Sequence, residues 1–199
     1  MAVAHPDSPT HLGRAQWLAE EVLSWAGLDL CVLRIAALFY ENITSVHASS
    51  IRATSGFANC FGNADVPWIS GLDAARLIVA AVTRPDLFAG GAIHYPPAAE
   101  LLSHEQIATI LTEELGRPIR FTAVTREEWT AQILELSQRE DESVINADMA
   151  RHIPAIGVAM ASARAPIRAP DSAELQRLTG AAPLPLRQFL AEHCSIFGQ

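Results

Sequence analysis

Lysine is absent from this sequence: all 14 of its cationic residues are arginine. No Schiff base, Walker-type phosphate grip or Tyr-x-x-x-Lys pair can be assembled from these residues alone, because each needs a lysine amine. The two tyrosines, Tyr40 and Tyr95, are followed four residues on by Thr44 and Ala99. Glycine occupies 11 positions but never in a G-x-G-x-x-G or G-x-x-G-x-x-G pattern. The one adjacent pair, Gly90-Gly91, precedes a predicted strand instead of following one. No glycine-rich turn of the kind that lets a backbone close on a phosphate is therefore encoded. Cysteine is scarce too. Cys31, Cys60 and Cys194 are odd in number, widely spaced and without a C-x-x-C or zinc pattern. They read as buried, reduced thiols of a cytoplasmic protein, and no metal site is expected. A net charge of −8 and a pI near 5.3 argue against an electrostatic grip on nucleic acid. No apolar run approaches the ~20 residues of a membrane span, and MAVAHPDSP at the start lacks a basic or apolar signal region.

What is present suits a folded chain: 199 residues, 50% hydrophobic and 18% charged, enough for one core or two small lobes sharing one. Apolar residues at helical spacing predict a helix from Thr10 to Ala26, stopped at Gly27. Leu28–Ile35 reads as a strand apolar on both faces, the mark of a parallel sheet covered on each side. Residues 38–52 read as helical, with a strand or hairpin and then a loop in the stretch 55–69. Asp73 is placed to cap the helix AARLIVAAVT, which is apolar almost all round and expected to be buried. Gly91–Tyr95 and Pro118–Val124 read as strands. Capping boxes at Ser103–Gln106, Thr125–Glu128 and Asp171–Glu174 open further helices. Val144–Ala163 reads as a helix broken or kinked at Pro154, and Leu186–Cys194 as the last one. RED at 139–141 reads as a solvated helix end or loop, and RAPIRAP as a linker. The alternation predicts an α/β chain.

The order of the segments is more specific than any one of them. AEEVLSWAGL, CVLR, ALFYEN, PWISGLDAARLIVAAV, SHEQIATILTEELGRPIRFTAV and LTGAAPLPLRQFLAEH follow one another from about residue 8 to the end. This series resembles the C-terminal portion of the NmrA-like family, a branch of the atypical short-chain dehydrogenase/reductases. The resemblance implies a partial Rossmann-like parallel sheet, its last strands and helices, with a smaller C-terminal α/β substrate lobe. Residues 1–84 would be the end of the NAD(P)-binding domain without its glycine-rich loop, and 85–199 the substrate lobe. The chain begins late in the family pattern, so binding of NAD(P) by these residues alone is expected to be weak or absent.

By position in that pattern, Ala36, Ala37, Leu38, Phe39 and Asn42 line the cofactor site, while Phe39, Tyr40, His47 and Trp68 face the substrate. The spacing from Arg34 to Glu41 is one residue longer than in related sequences, and Gln16 stands where related reductases often carry a lysine. Substrates implied are small apolar carbonyls or quinones. The catalytic residues stay unassigned. Some family members are redox sensors or regulators, so a non-catalytic regulator or protein-interaction module is the alternative. The unpaired edge of Leu28–Ile35 is expected to favour self-association or a protein partner.

Individual residues also carry plainer readings. Arg34 is expected to anchor its strand end through a carboxylate or loop carbonyls, because a buried guanidinium must be paired. His104-Glu105 lacks a histidine four residues on, so it belongs to a capping box. His47 reads as a surface residue or a substrate contact, Trp68 as packing, and His152 as a structural partner of Asp148 at helical spacing. Ser8, Ser24 and Ser195 have no G-x-S-x-G setting.

Overall fold

A computed structural model describes residues 4–139, 145–162 and 168–198. Helix α1, His11–Trp25, begins where the Thr10 hydroxyl accepts the Gly13 N–H at 3.3 Å, and the chain leaves it through Gly27 at φ 67. Strand β1 is only Val32–Leu33 and pairs in parallel with β5, Ile93–His94. The expected strand Leu28–Ile35 is thus shorter, because its ladder extends only as far as β5 does. It is also not buried on both faces, since Leu28 is exposed and so is Cys31.

Residues 38–52 depart from a single helix. Leu38–Phe39 form strand β2, paired in parallel with β4, Val66–Ile69. A π-helical turn over Ile43–His47 then leads into α2, Ala48–Thr54. Pairing with a distant strand overrides the local helical preference at Leu38 and Phe39. Strand β3, Gly56–Asn59, runs parallel to β7, Arg120–Ala123, while β6, Glu100–Leu102, runs antiparallel to β4. The described strands thus form a pair β1-β5, a triple β2-β4-β6 and a pair β3-β7.

The remaining helices are α3 Gly71–Thr83, α4 His104–Leu115, α5 Arg126–Leu136, α6 Ala147–Ala161, α7 Ser172–Thr179 and α8 Leu186–Glu192. α4 and α5 open on the two reciprocal capping boxes expected at Ser103–Gln106 and Thr125–Glu128. At α7 only the forward bond is made, from the Glu174 N–H to Asp171. Pro154 sits inside α6 without ending it. Residues 140 and 141 of the RED run and most of RAPIRAP lie outside the described residues. No helix among the described residues is long and apolar enough to cross a membrane.

Two apolar clusters hold these elements. The larger joins Ile43, Ile51, Phe61, Trp68, Leu111, Trp129, Ile133 and Phe189; the smaller joins Ile69, Leu77, Phe88, Leu175 and Leu178. Each draws on residues from both sides of position 84. α3 is not buried all round: Leu77 is enclosed, while Ile78, Val79 and Val82 face outward.

Two carboxylates, Asp73 buried and Glu100 half-buried, tie the C-terminal segment to the sheet. Asp73 is the third residue of α3, and Ser70 is its cap. The Asp73 carboxylate accepts bonds from the Ser70 hydroxyl at 2.7 Å, Arg76 at 2.9 Å and the Leu184 N–H at 2.8 Å. Glu100 accepts from the Tyr40 hydroxyl and from the Leu186 N–H at 2.7 Å. Both acids are therefore compensated, as the burial of Asp73 requires.

Candidate functional site

A cavity of about 340 Å³ opens beside the carboxyl ends of β1 and β2. In open α/β sheets that edge is where ligands bind, because the connections part there. One wall is the segment Ile35–Phe39 with Asn42, backed by Pro67 of β4. All five residues expected at the cofactor site, Ala36, Ala37, Leu38, Phe39 and Asn42, therefore line one cavity. Gln16 and Leu12 of α1, with Ser8–Thr10 before it, form a second wall. The third is α6, through Met149, His152, Ile153, Ile156 and Met160. This last wall had no counterpart in the sequence reading. Its apolar residues recur at helical spacing, but that spacing does not distinguish a cavity face from a core face.

Arg34 stands behind the cavity and does not line it. Its Nε donates to the two carboxylate oxygens of Glu20 at 3.2 and 3.1 Å, and a terminal nitrogen donates to the Tyr95 hydroxyl at 3.0 Å. The Glu20 hydrogen bonds are the main reason its charge is held more firmly than usual. Arg34 therefore pins the end of β1 to α1 and orients the loop that follows.

His152 is 9% exposed, and its Nδ1 lies 2.6 Å from the Thr10 Oγ1. It does not pair with Asp148, which faces solvent beside Arg151 at 3.7 Å. Burial lowers the pKa of His152, so the neutral ring is favoured.

The expected substrate residues divide. Phe39 lines the cavity. Tyr40 is fully buried, and its hydroxyl is turned to Glu100. Trp68 is 1% exposed, with its indole N–H donating to the Leu102 carbonyl at 3.1 Å. His47 is neither on the surface nor in this cavity. It packs against Phe57 at 4.9 Å and Trp129 at 6.3 Å between ring centroids, and borders a separate depression beside β3 and α5. Burial takes its pKa down to about 4.

Three of the described turns from strand to helix offer no seat for the diphosphate of a dinucleotide. From β6 to α4 and from β7 to α5, the helix starts are closed by their capping boxes. From β4 to α3 the turn carries Gly71, yet its N–H already meets both Glu41 carboxylate oxygens at 3.0 Å. A Cβ at Gly71 would lie 2.7 Å from one of those oxygens. An internal carboxylate thus occupies the place an anion takes at a helix start.

No protein-family model matches the chain. An NAD(P)H azoreductase of Xenophilus azovorans is 30% identical over 126 residues, which cover 63% of this chain and 42% of the azoreductase. An agroclavine dehydrogenase of Claviceps fusiformis is 26% identical over 174 residues, 86% of this chain and 56% of the dehydrogenase. Among solved structures, an Escherichia coli NADPH-dependent quinone oxidoreductase complexed with NADPH superposes with a TM-score of 0.72 at 18% identity. It matches 95% of this chain and 62% of its own. A Citrobacter triphenylmethane reductase complexed with NADP(H) gives 0.69 at 16% identity, matching 94% and 61%. The chain therefore has the Rossmann-like α/β fold found in NAD(P)-linked reductases. It spans about half the length of these two curated relatives.

Proposed function

We propose that this chain builds the ligand wall of an NAD(P)H-linked oxidoreductase of the NmrA-like type, with the diphosphate seat supplied by residues other than these 199. The observation that carries the reading is the cavity at the ends of β1 and β2, where Ala36–Phe39 and Asn42 come together. On this reading residues 1–84 complete a nucleotide lobe and 85–199 form the substrate lobe of a cytoplasmic enzyme. The substrates are small, flat, apolar carbonyls or quinones, which suit walls of Leu38, Phe39, Ile153 and Met160. The names of the azoreductase and the quinone oxidoreductase support a small-molecule substrate. A nicotinamide supplies hydride in such enzymes, and the helix starts of α3, α4 and α5 do not fit its diphosphate.

Calorimetric titration of the chain with NADPH tests the division of labour. No saturable binding in the low-micromolar range is expected, and a low-micromolar Kd would overturn it. The second reading, a redox-sensing regulator or interaction module, is favoured by the outward apolar residues of α1 and α3, including Trp25 and Val82.

A further inference from the structure

We infer that His152, held by Thr10, is the hydrogen-bond donor that orients a carbonyl-bearing ligand in the cavity. The inference rests on the cavity being the ligand pocket and adds the group that recognises the ligand. His152 is nine-tenths buried on the α6 wall, and its Nδ1 is engaged by Thr10 at 2.6 Å. Its Nε2 meets no protein partner among the described residues, and it is not among the sealed, unpartnered atoms. His94 and His104 differ, since each has a ring nitrogen that is both sealed and unpartnered. One nitrogen of His152 is thus fixed while the other is left to the cavity.

Thr10 is the group that engages Nδ1. Its Oγ1 accepts the Gly13 N–H at 3.3 Å as the cap of α1 and lies 3.4 Å from the Ser8 hydroxyl. The hydroxyl keeps one proton and one lone pair, so it can meet Nδ1 of His152 as donor or as acceptor. The inferred role takes Thr10 as the donor, which places the ring proton on Nε2, toward the cavity. The apolar surroundings from Leu38, Phe39, Ile153 and Met160 keep the ring neutral, so no charge repels an apolar ligand. In such a site a single well-placed donor decides orientation. The ligand class is a flat apolar ring system bearing one accessible acceptor oxygen, as in a ketone or quinone.

The test uses the matched pair 1-indanone and indane, which share a ring frame and differ in the carbonyl. The chain has three methionines, and two of them, Met149 and Met160, line the cavity, so labelled methionine methyls report binding directly. Both ligands are expected to shift both methyls. His152→Leu should lower the ratio of indane Kd to indanone Kd by about fivefold to tenfold, the worth of one hydrogen bond, and leave the indane Kd within about twofold. His152→Gln, which keeps a donor, should recover most of that ratio. Nitrogen-15 spectra of the unaltered chain should show His152 protonated on Nε2, with that resonance moving for indanone and not for indane. This last measurement stands even where a variant fails to fold. Shifted methyls with an unchanged ratio, or a proton on Nδ1, would overturn the role of His152 and leave the pocket reading intact. Methyls unmoved by either ligand would overturn both.

Discussion

Two apolar regions of this molecule are built from similar residues and end in opposite states. Around His104, the rings of Phe61, Trp68 and Phe121 close in at 4.9 to 5.5 Å between centroids, and the histidine keeps 2% of its exposure. On α1 and α3, Trp25 is 73% exposed and Val82 77%, though Leu77 on the inner side of α3 is fully enclosed. Apolar patterning therefore marks which residues can be buried, while burial itself depends on whether a second layer lies over them. The closed region is complete within the described residues. The open region leaves Leu18, Val22, Leu23 and Trp25 of α1, and Ile78, Val79 and Val82 of α3, exposed to solvent.

The largest expected difference between the regions is in stability. Phe61→Ala should cost about 3–5 kcal/mol by leaving a cavity among the rings. Val82→Ala should change stability by less than about 0.5 kcal/mol. Urea denaturation measures both, and equal losses would erase the distinction between closed and open.

Acid sharpens the same contrast. Burial lowers His47 to about 4, and burial with the neighbouring His47 lowers His104 to about 3, both from an ordinary value of 6.5. Between those limits the unfolded rings bind protons that the folded ones refuse, so stability falls as pH drops from about 6.5 toward 4. Each ring contributes a slope of up to about 1.4 kcal/mol per pH unit. His104→Phe removes one such slope along with an unpartnered buried nitrogen, and should flatten the pH profile of the urea midpoint. An unchanged profile would place the protonation elsewhere.

The smallest effect on stability belongs to the open face. The double variant Trp25→Glu, Val82→Glu should leave the unfolding free energy from urea denaturation within about 0.5 kcal/mol yet disperse associated protein. Sedimentation velocity would read the change. A parent chain that is already a monodisperse monomer would show that this face needs no cover.

How much was legible in the sequence follows the range of the interactions. The boxes at Ser103–Gln106 and Thr125–Glu128 are three-residue hydrogen-bond circuits, so their residues announce them and the helices they open. α1 was legible from the helical spacing of its apolar residues, and its cap at Thr10 is a finding of the structure. β2 and β4 were missed as partners because Leu38 meets Trp68 only through a fold that local propensity does not record. Asp73 was read as a cap three residues away from the real one, Ser70, because an acid in the first turn satisfies the same helix dipole. The cavity wall at Ala36–Phe39 was placed by resemblance to a family pattern. The opposite wall was not, since His152 and Thr10 stand 142 residues apart and neither carries a motif. Tyr40 and Trp68 looked like ligand contacts by position, yet Glu100 and the Leu102 carbonyl claim their polar atoms.

The most direct measurement sets NADPH beside 1-indanone, with the Met149 and Met160 methyls as reporters on the unaltered chain. The expected result is that indanone moves both methyls while NADPH leaves them in place throughout the low-micromolar range. Saturable movement by NADPH at low micromolar concentration would contradict a pocket wall that lacks a diphosphate seat.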